Sequence, residues 1–145
     1  MIAAALAHYL DSLDLVDYQE EGDCDGDCFI HRMPPEPDEA VMVTAYGANP
    51  IEGSTSLGYD EPTVQVRVRG TTDPRNGEAR AQAIYGALQG LCHVTMAAGT
   101  DHEVRVISCS SPQTGPAYMG ADQAGRHEYA VNTALHVRAQ TEHRE

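Results

Sequence analysis

The stretch Pro62-Thr63-Val64-Gln65-Val66-Arg67-Val68-Arg69-Gly70 decides the fold class. Val64, Val66 and Val68 alternate with Gln65, Arg67 and Arg69, so a period of two puts the valines on one face of a β-strand. An apolar face backed by a polar one is the pattern of an antiparallel sheet packed on one side and wet on the other. The period then changes. Asp73 stands before Pro74, a capping residue ahead of a proline that fits a first helical turn. Ala81, Ile84, Leu88 and Leu91 then recur at steps of three and four, which predicts an amphipathic helix reaching about Leu91.

Working outward, Val104–Cys109 reads as a third strand with Val104 and Val106 inward. Ser110–Arg126 is rich in Gly and Pro and reads as a long loop. His127–Arg138 reads as a long last strand whose Tyr129, Val131, Thr133, Leu135 and Val137 share a face, followed by a loose tail after Ala139. Towards the start, Ile2, Leu6, Tyr9, Leu10 and Leu13 make one apolar stripe on a helix over residues 1–16. Asp14–Asp27 has acidic loop composition, and Cys28–Met33 is too short to assign. Pro34-Pro35-Glu36-Pro37 forbids a helix and gives a stiff extended lead-in. Glu39–Tyr46 reads as a strand, and Gly47–Glu61 as a second long, mobile loop. The expected fold is a single α+β domain over 1–145 in the order helix, strand, strand, helix, strand, strand. Its four-stranded sheet is mostly antiparallel, with both helices on one face.

Charge is unevenly placed. Residues 1–61 carry fourteen acidic side chains against Arg32 alone, whereas residues 62–145 carry eight acids and eight arginines, so the first part holds the whole net charge of -13. Such a chain repels phosphate backbones, which argues against tight nucleic-acid binding. The apolar opening Met1–Leu6 is broken by His8 and Asp11 and has no basic leader, so neither a signal peptide nor a membrane span is expected. Cys24, Cys28, Cys92 and Cys109 are then expected to meet a reducing cytosol and stay as thiols.

Candidate chemistry is thin. Asp23, Asp25 and Asp27 suit the first three ligand places of a calcium loop, but the glycine and the glutamate such a loop needs are replaced by Cys28 and Pro34. Cys24, Cys28 and His31 would make a zinc site only with a fourth ligand, and Cys92 and Cys109 read more simply as small core residues. None of the seven histidines belongs to a nucleophile–histidine motif, and no phosphate-binding glycine loop occurs. No catalytic residue, metal or cofactor is expected. Arg67 and Arg69, on the polar face of their strand, suit either a solvated sheet face or a contact with the acidic half of a neighbouring subunit.

The stretch Tyr59–Gly70 followed by a helix resembles the middle of phage minor capsid and tail-terminator proteins. So does Gly115-Pro116 followed by Gly120-Ala121-Asp122-Gln123-Ala124-Gly125-Arg126, a Gly-x-Asp-x-x-Gly-Arg turn opening the last strand. Pro35–Pro50 fits as well. The likeness spans about residues 35–138, and the acidic Cys24–Cys28 segment falls outside it. The resemblance implies a non-enzymatic virion protein at the head–tail junction, assembled in the host cytoplasm. It implies a homo-oligomeric ring, a hexamer in such relatives, that caps the tail tube and meets the head connector or stopper protein. DNA would pass through the lumen without specific binding, and no membrane is involved. A head-completion or stopper protein of the neck, or a small Cys/His metal-binding module, are the alternatives. Tyr59, Arg67, Arg69, Tyr118, Met119, Asp122 and Arg126 are the residues expected at the subunit or tail interface.

Overall fold

A computed structural model of the chain describes residues 1–20, 26–47, 57–139 and 141–143. The elements in order are α1 (Ile2–Ser12), β1 (Cys28–Ile30), β2 (Ala40–Tyr46), β3 (Tyr59–Asp60), β4 (Thr63–Arg69), α2 (Pro74–Leu88), β5 (Cys92–Met96), β6 (Val104–Ser110), β7 (Ala117–Ala121) and β8 (His127–Arg138). The class is α+β, as expected, but the sheet is larger and mixed. It has eight strands where four were expected, and β1 pairs parallel with β2 while the other ladders are antiparallel.

β8 is the spine. One edge carries β4 and, further along, the short β3; the other edge carries β7 and then β6. The remaining strands extend the sheet in the order β1-β2-β4-β8-β6-β5. Its bounds match the period-two reading, and Tyr129, Val131, Thr133, Leu135 and Val137 are all buried on the face predicted. Val64, Val66 and Val68 lie beside them in register and are fully buried.

The four additional strands are those with the least periodic signal. β1 has three residues and β3 only two, and only Leu91 separates the start of β5 from the helix-terminating Gly90. β7 is Ala-Tyr-Met-Gly-Ala inside the Gly/Pro-rich stretch read as loop. Within the Gly47–Glu61 stretch, Tyr59–Asp60 also pairs with β8. Residues 48–56 lie outside the described residues, as do 140, 144 and 145 of the tail and the Asp23–Asp25 part of the acidic loop.

Both helices lie on one face of the sheet, as expected. Leu6 and Leu10 of α1 and Ala81, Ile84 and Leu88 of α2 form one core with the strand valines, Met96, Cys109 and Leu135. The helices are shorter than predicted, because α1 ends at Ser12 and α2 at Leu88. Asp73 caps α2 by accepting from the Arg75 amide at 3.0 Å, with Pro74 in the first turn, as the sequence indicated. The crossing of α2 over the end of β4 is set by glycine: a Cβ on Gly70 would stand 2.5 Å from the Gly77 nitrogen. Only two backbones without side chains approach so closely. Tyr129 locks the same corner, its hydroxyl donating to the Pro74 carbonyl at 2.7 Å. No described helix is long and apolar enough to cross a membrane.

Candidate functional site

Surfaces, not a pocket of converging reactive groups, are the notable features. Arg67 and Arg69 project from the side of β4 opposite its valines, but neither is a free cation. Arg67 lies 3.3 Å from the carboxylate of Glu128, which sits diagonally across the ladder on β8, and that contact is close without being aligned as a hydrogen bond. Arg69 is only 3% exposed. Its guanidinium donates to the carbonyls of Pro37 and Asp38, the latter at 2.9 Å. The expected wet sheet face is therefore corrected at this position: the Pro34–Asp38 segment lies over Arg69 and consumes its donors. Burial pushes the Arg69 guanidinium below its ordinary pKa, and the neighbouring charge of Arg126 acts in the same direction.

Asp122 and Arg126 form the hairpin turn between β7 and β8. The Asp122 carboxylate accepts from the amides of Ala124 at 3.0 Å and Arg126 at 2.9 Å, and from the Arg126 Nε at 2.8 Å. Gly125 sits at φ +79°, which a residue with a Cβ rarely adopts. These contacts give the Gly-x-Asp-x-x-Gly-Arg spacing a physical reason: carboxylate, left-handed glycine and guanidinium each occupy a fixed place in one tight turn. Hydrogen bonding, first from the Arg126 amide, holds the Asp122 carboxyl below its ordinary 3.8. Arg126 then reaches across, donating to the Pro35 carbonyl at 2.6 Å and to Asp38 at 3.1 Å.

Arg69 and Arg126 thus pin one strap, Pro34–Glu39, from two elements. A guanidinium fork suits this, since its several donors lie in one plane. The strap displays Glu36, Asp38 and Glu39 to solvent. Beside it a cleft of about 680 Å³ is lined by Asp17, Asp27, Glu36, Asp38 and Glu39. Nothing in the spacing of Pro34-Pro35-Glu36-Pro37 announced that two distant arginines would fix it, although its stiffness was legible.

The other expected interface residues lie apart. Tyr118 and Met119 on β7 are 56% and 45% exposed, and Tyr118 stacks near Tyr129 while meeting the His127 ring nitrogen at 2.7 Å. They are carried on a strand, not on the projecting loop expected. Along this edge of β8 the β7 ladder ends at the Ala117–Ala130 pair and the β6 ladder begins at Ser110–Ala134, and Gln113 fills the gap between them. Its side-chain amide donates to the Ala130 carbonyl at 3.3 Å and accepts from the Asn132 amide at 2.6 Å. The sequence reading missed this residue. Tyr59, near the far end of β8, lies under the Arg138 guanidinium at 5.0 Å and accepts a hydrogen bond from it at 2.8 Å.

The metal readings gain no support. Cys28 is buried, and that burial pushes its thiol up to about 12. His31 is exposed, and Cys24 lies outside the described residues. Among the described residues no three His, Cys, Asp or Glu side chains are grouped so as to hold an ion. Cys109 is buried as expected, its thiol raised to about 11 by that burial, but Cys92 is exposed at the start of the edge strand β5 and is not a core residue.

Residues 9–138 match the profile of the bacteriophage tail terminator protein family. The chain belongs to that family. The matched span runs from within α1 to the last residue of β8, so it covers the entire described sheet. Membership makes it a structural component of the virion with a role in tail completion. Neither comparison with curated proteins nor comparison with solved structures gives a match.

Proposed function

We propose that this subunit closes with copies of itself into a ring that caps the finished tail tube and presents it to the head connector. Family membership over residues 9–138 is the observation that carries this reading. The surface chemistry agrees with it. Conformational rigidity comes from an eight-stranded sheet with a single core, and the groups left exposed are those that suit protein–protein contacts. Tyr118 and Met119 are exposed on β7 and of residue types enriched in interface cores, and they contact the tube or a neighbour. Asp122, Arg126 and Arg69 act from beneath by fixing the backbone of the contact surfaces, and Arg67 meets the Glu128 carboxylate on the same sheet face. The net charge of -13 lets DNA pass through the ring without adhering.

The test is a phage lacking this gene, examined by electron microscopy. Tube polymerisation should run past its proper length, and tails should fail to join heads until the gene is supplied in trans. Tails of normal length joined to full heads would refute the proposal.

A further inference from the structure

Arginine is the only basic side chain besides histidine here, and most described arginines are occupied within the subunit. Arg67 faces Glu128, Arg75 pairs with Asp73, Arg80 with Asp27, and Arg126 with Asp122 and Asp38, while Arg69 holds strap carbonyls. Arg32 lies over the Phe29 ring. Arg105 and Arg138 differ. They are directly opposed across the β6–β8 ladder. Their neighbours Val106 and Val137 turn to the core, so both arginines turn to the helix-free face. With Tyr59, His93 and Ile107 they line a groove of about 490 Å³, and neither has a carboxylate within ion-pair distance among the described residues. Two like charges in opposed register positions repel each other. In a chain with so many carboxylates, leaving this pair uncompensated points to an anion supplied from outside the subunit.

The acidic strap has the complementary shape and sign. Glu36, Asp38 and Glu39 are exposed on a Pro-rich segment whose backbone Arg69 and Arg126 hold in place, so little ordering remains to be done on docking. The strap runs into β2 at Ala40, which is in register with Arg69 and hence with Glu128 near the start of β8; the groove lies at Arg138, the end of β8. Ten residues of strand separate the two, roughly 33 Å at about 3.3 Å per residue. Opposite charges at opposite ends of one rigid sheet cannot meet within a subunit. They meet between subunits, and where the strap and the groove of one copy engage two different neighbours the contact is head-to-tail, the type that can close into a ring.

We propose that the strap Pro34–Glu39 of one copy docks its carboxylates on the Arg105–Arg138 groove of the next. This rests on the ring reading above and names the surfaces that make the ring. A nucleic acid phosphate is the other anion the groove would take, and the net charge disfavours it.

Two variants test the contact: Glu36→Arg with Glu39→Arg makes both patches positive, and Arg105→Glu with Arg138→Glu makes both negative. Sedimentation equilibrium of the full chain should show wild-type self-association that weakens as salt rises. Each variant alone should associate roughly tenfold or more weakly, because like charges face each other. An equimolar mixture should recover wild-type association, since each contact is then again between opposite signs. Arg105→Glu alone, which leaves the Arg138–Tyr59 pair intact, should weaken association in the same direction, and circular dichroism should show every variant folded.

Unchanged association of the single-sign variants, a mixture that stays monomeric, or a wild-type protein that never associates would overturn the contact. So would wild-type binding of a short DNA duplex that is lost in Arg105→Glu. Capping of isolated tail tubes separates this proposal from the function. Variants that cap as well as wild type refute the strap–groove contact alone, whereas a wild-type chain that ignores tubes refutes the terminator role.

Discussion

Replacing Arg69 by methionine removes a guanidinium while keeping a long apolar stem, and the structure sets the cost. Arg69 is 3% exposed and donates to the carbonyls of Pro37 and Asp38. Hydrogen bonds from a charged donor contribute about 1.5–3 kcal/mol each net of water. The strap carbonyls recover some solvation once released, and the cost of burying the guanidinium disappears with it. A loss of about 3 kcal/mol remains, which for a chain of this size lowers the melting temperature by roughly 10 °C. The comparison that gives the figure meaning is Arg67→Met, two residues along the same strand. Arg67 has a single poorly aligned contact with Glu128, and its side chain is 28% exposed. Pairs of that sort are worth less than about 1 kcal/mol. Denaturant unfolding of the two variants should therefore differ by at least about 2 kcal/mol. Hydrogen exchange should speed up across Glu36–Glu39 in Arg69→Met and not in Arg67→Met. Equal costs for the two arginines, or an unchanged strap, would refute the reasoning that Arg69 is an internal anchor.

Gly70→Ala should cost about 3 kcal/mol, since the added Cβ meets the Gly77 backbone at 2.5 Å, and thermal unfolding reads the loss directly. Gln113→Ala should expose the Asn132 amide to exchange, at a cost of about 1–3 kcal/mol for the buried groups it leaves unpaired; protection equal to wild type would argue against the side chain standing in for a strand. Asp122 has its folded-state carboxyl pKa held below 3.8, so it stabilises the fold above that value and the contribution is lost as pH falls beneath it. Asp122→Asn should accordingly flatten the stability profile below about pH 4 and leave the remainder of its shape unchanged. Among the described cysteines, a thiol reagent at neutral pH should modify Cys92 in the native protein and reach Cys28 and Cys109 only on unfolding, as peptide mapping would show.

Legibility in the sequence tracked how far each signal was local. β8 was readable to the residue and β4 to within one residue at each end, because alternation sustained over twelve and seven residues points to a strand. The start of α2 was readable because Asp73-Pro74 is a cap whose chemistry is complete within two residues. β7 was not, because Ala117-Tyr118-Met119-Gly120-Ala121 has small or exposed residues at every position and is a strand only by virtue of the β8 edge beside it. β5 and β3 failed for the same reason. The site was less legible than the fold. Tyr118 and Met119 could be named as exposed groups from composition alone. For Arg67 and Arg69, alternation gives the face and says nothing about what covers it, and one of the two is buried beneath a segment thirty residues earlier.

That burial changes how the charge pattern should be understood. Reading acids and arginines by halves suggested that the second half is electrically neutral, but neutrality there is a sum over groups with different fates. Arg69 and Arg126 spend their donors holding an acidic strap, so their charge partly cancels where it lies and the strap's remaining carboxylates stay available at one end of the sheet. Arg105 and Arg138 spend theirs on no carboxylate among the described residues, so theirs stays available at the other end. A subunit with a large net negative charge would resist crowding against its own copies, and self-repulsion grows as copies gather. Two localised patches of opposite sign overcome this only at the contact itself, within about a Debye length of 8 Å, while the remaining surface keeps repelling. On the proposed contact, assembly would be directional: copies would be held apart in every orientation but the one that joins strap to groove.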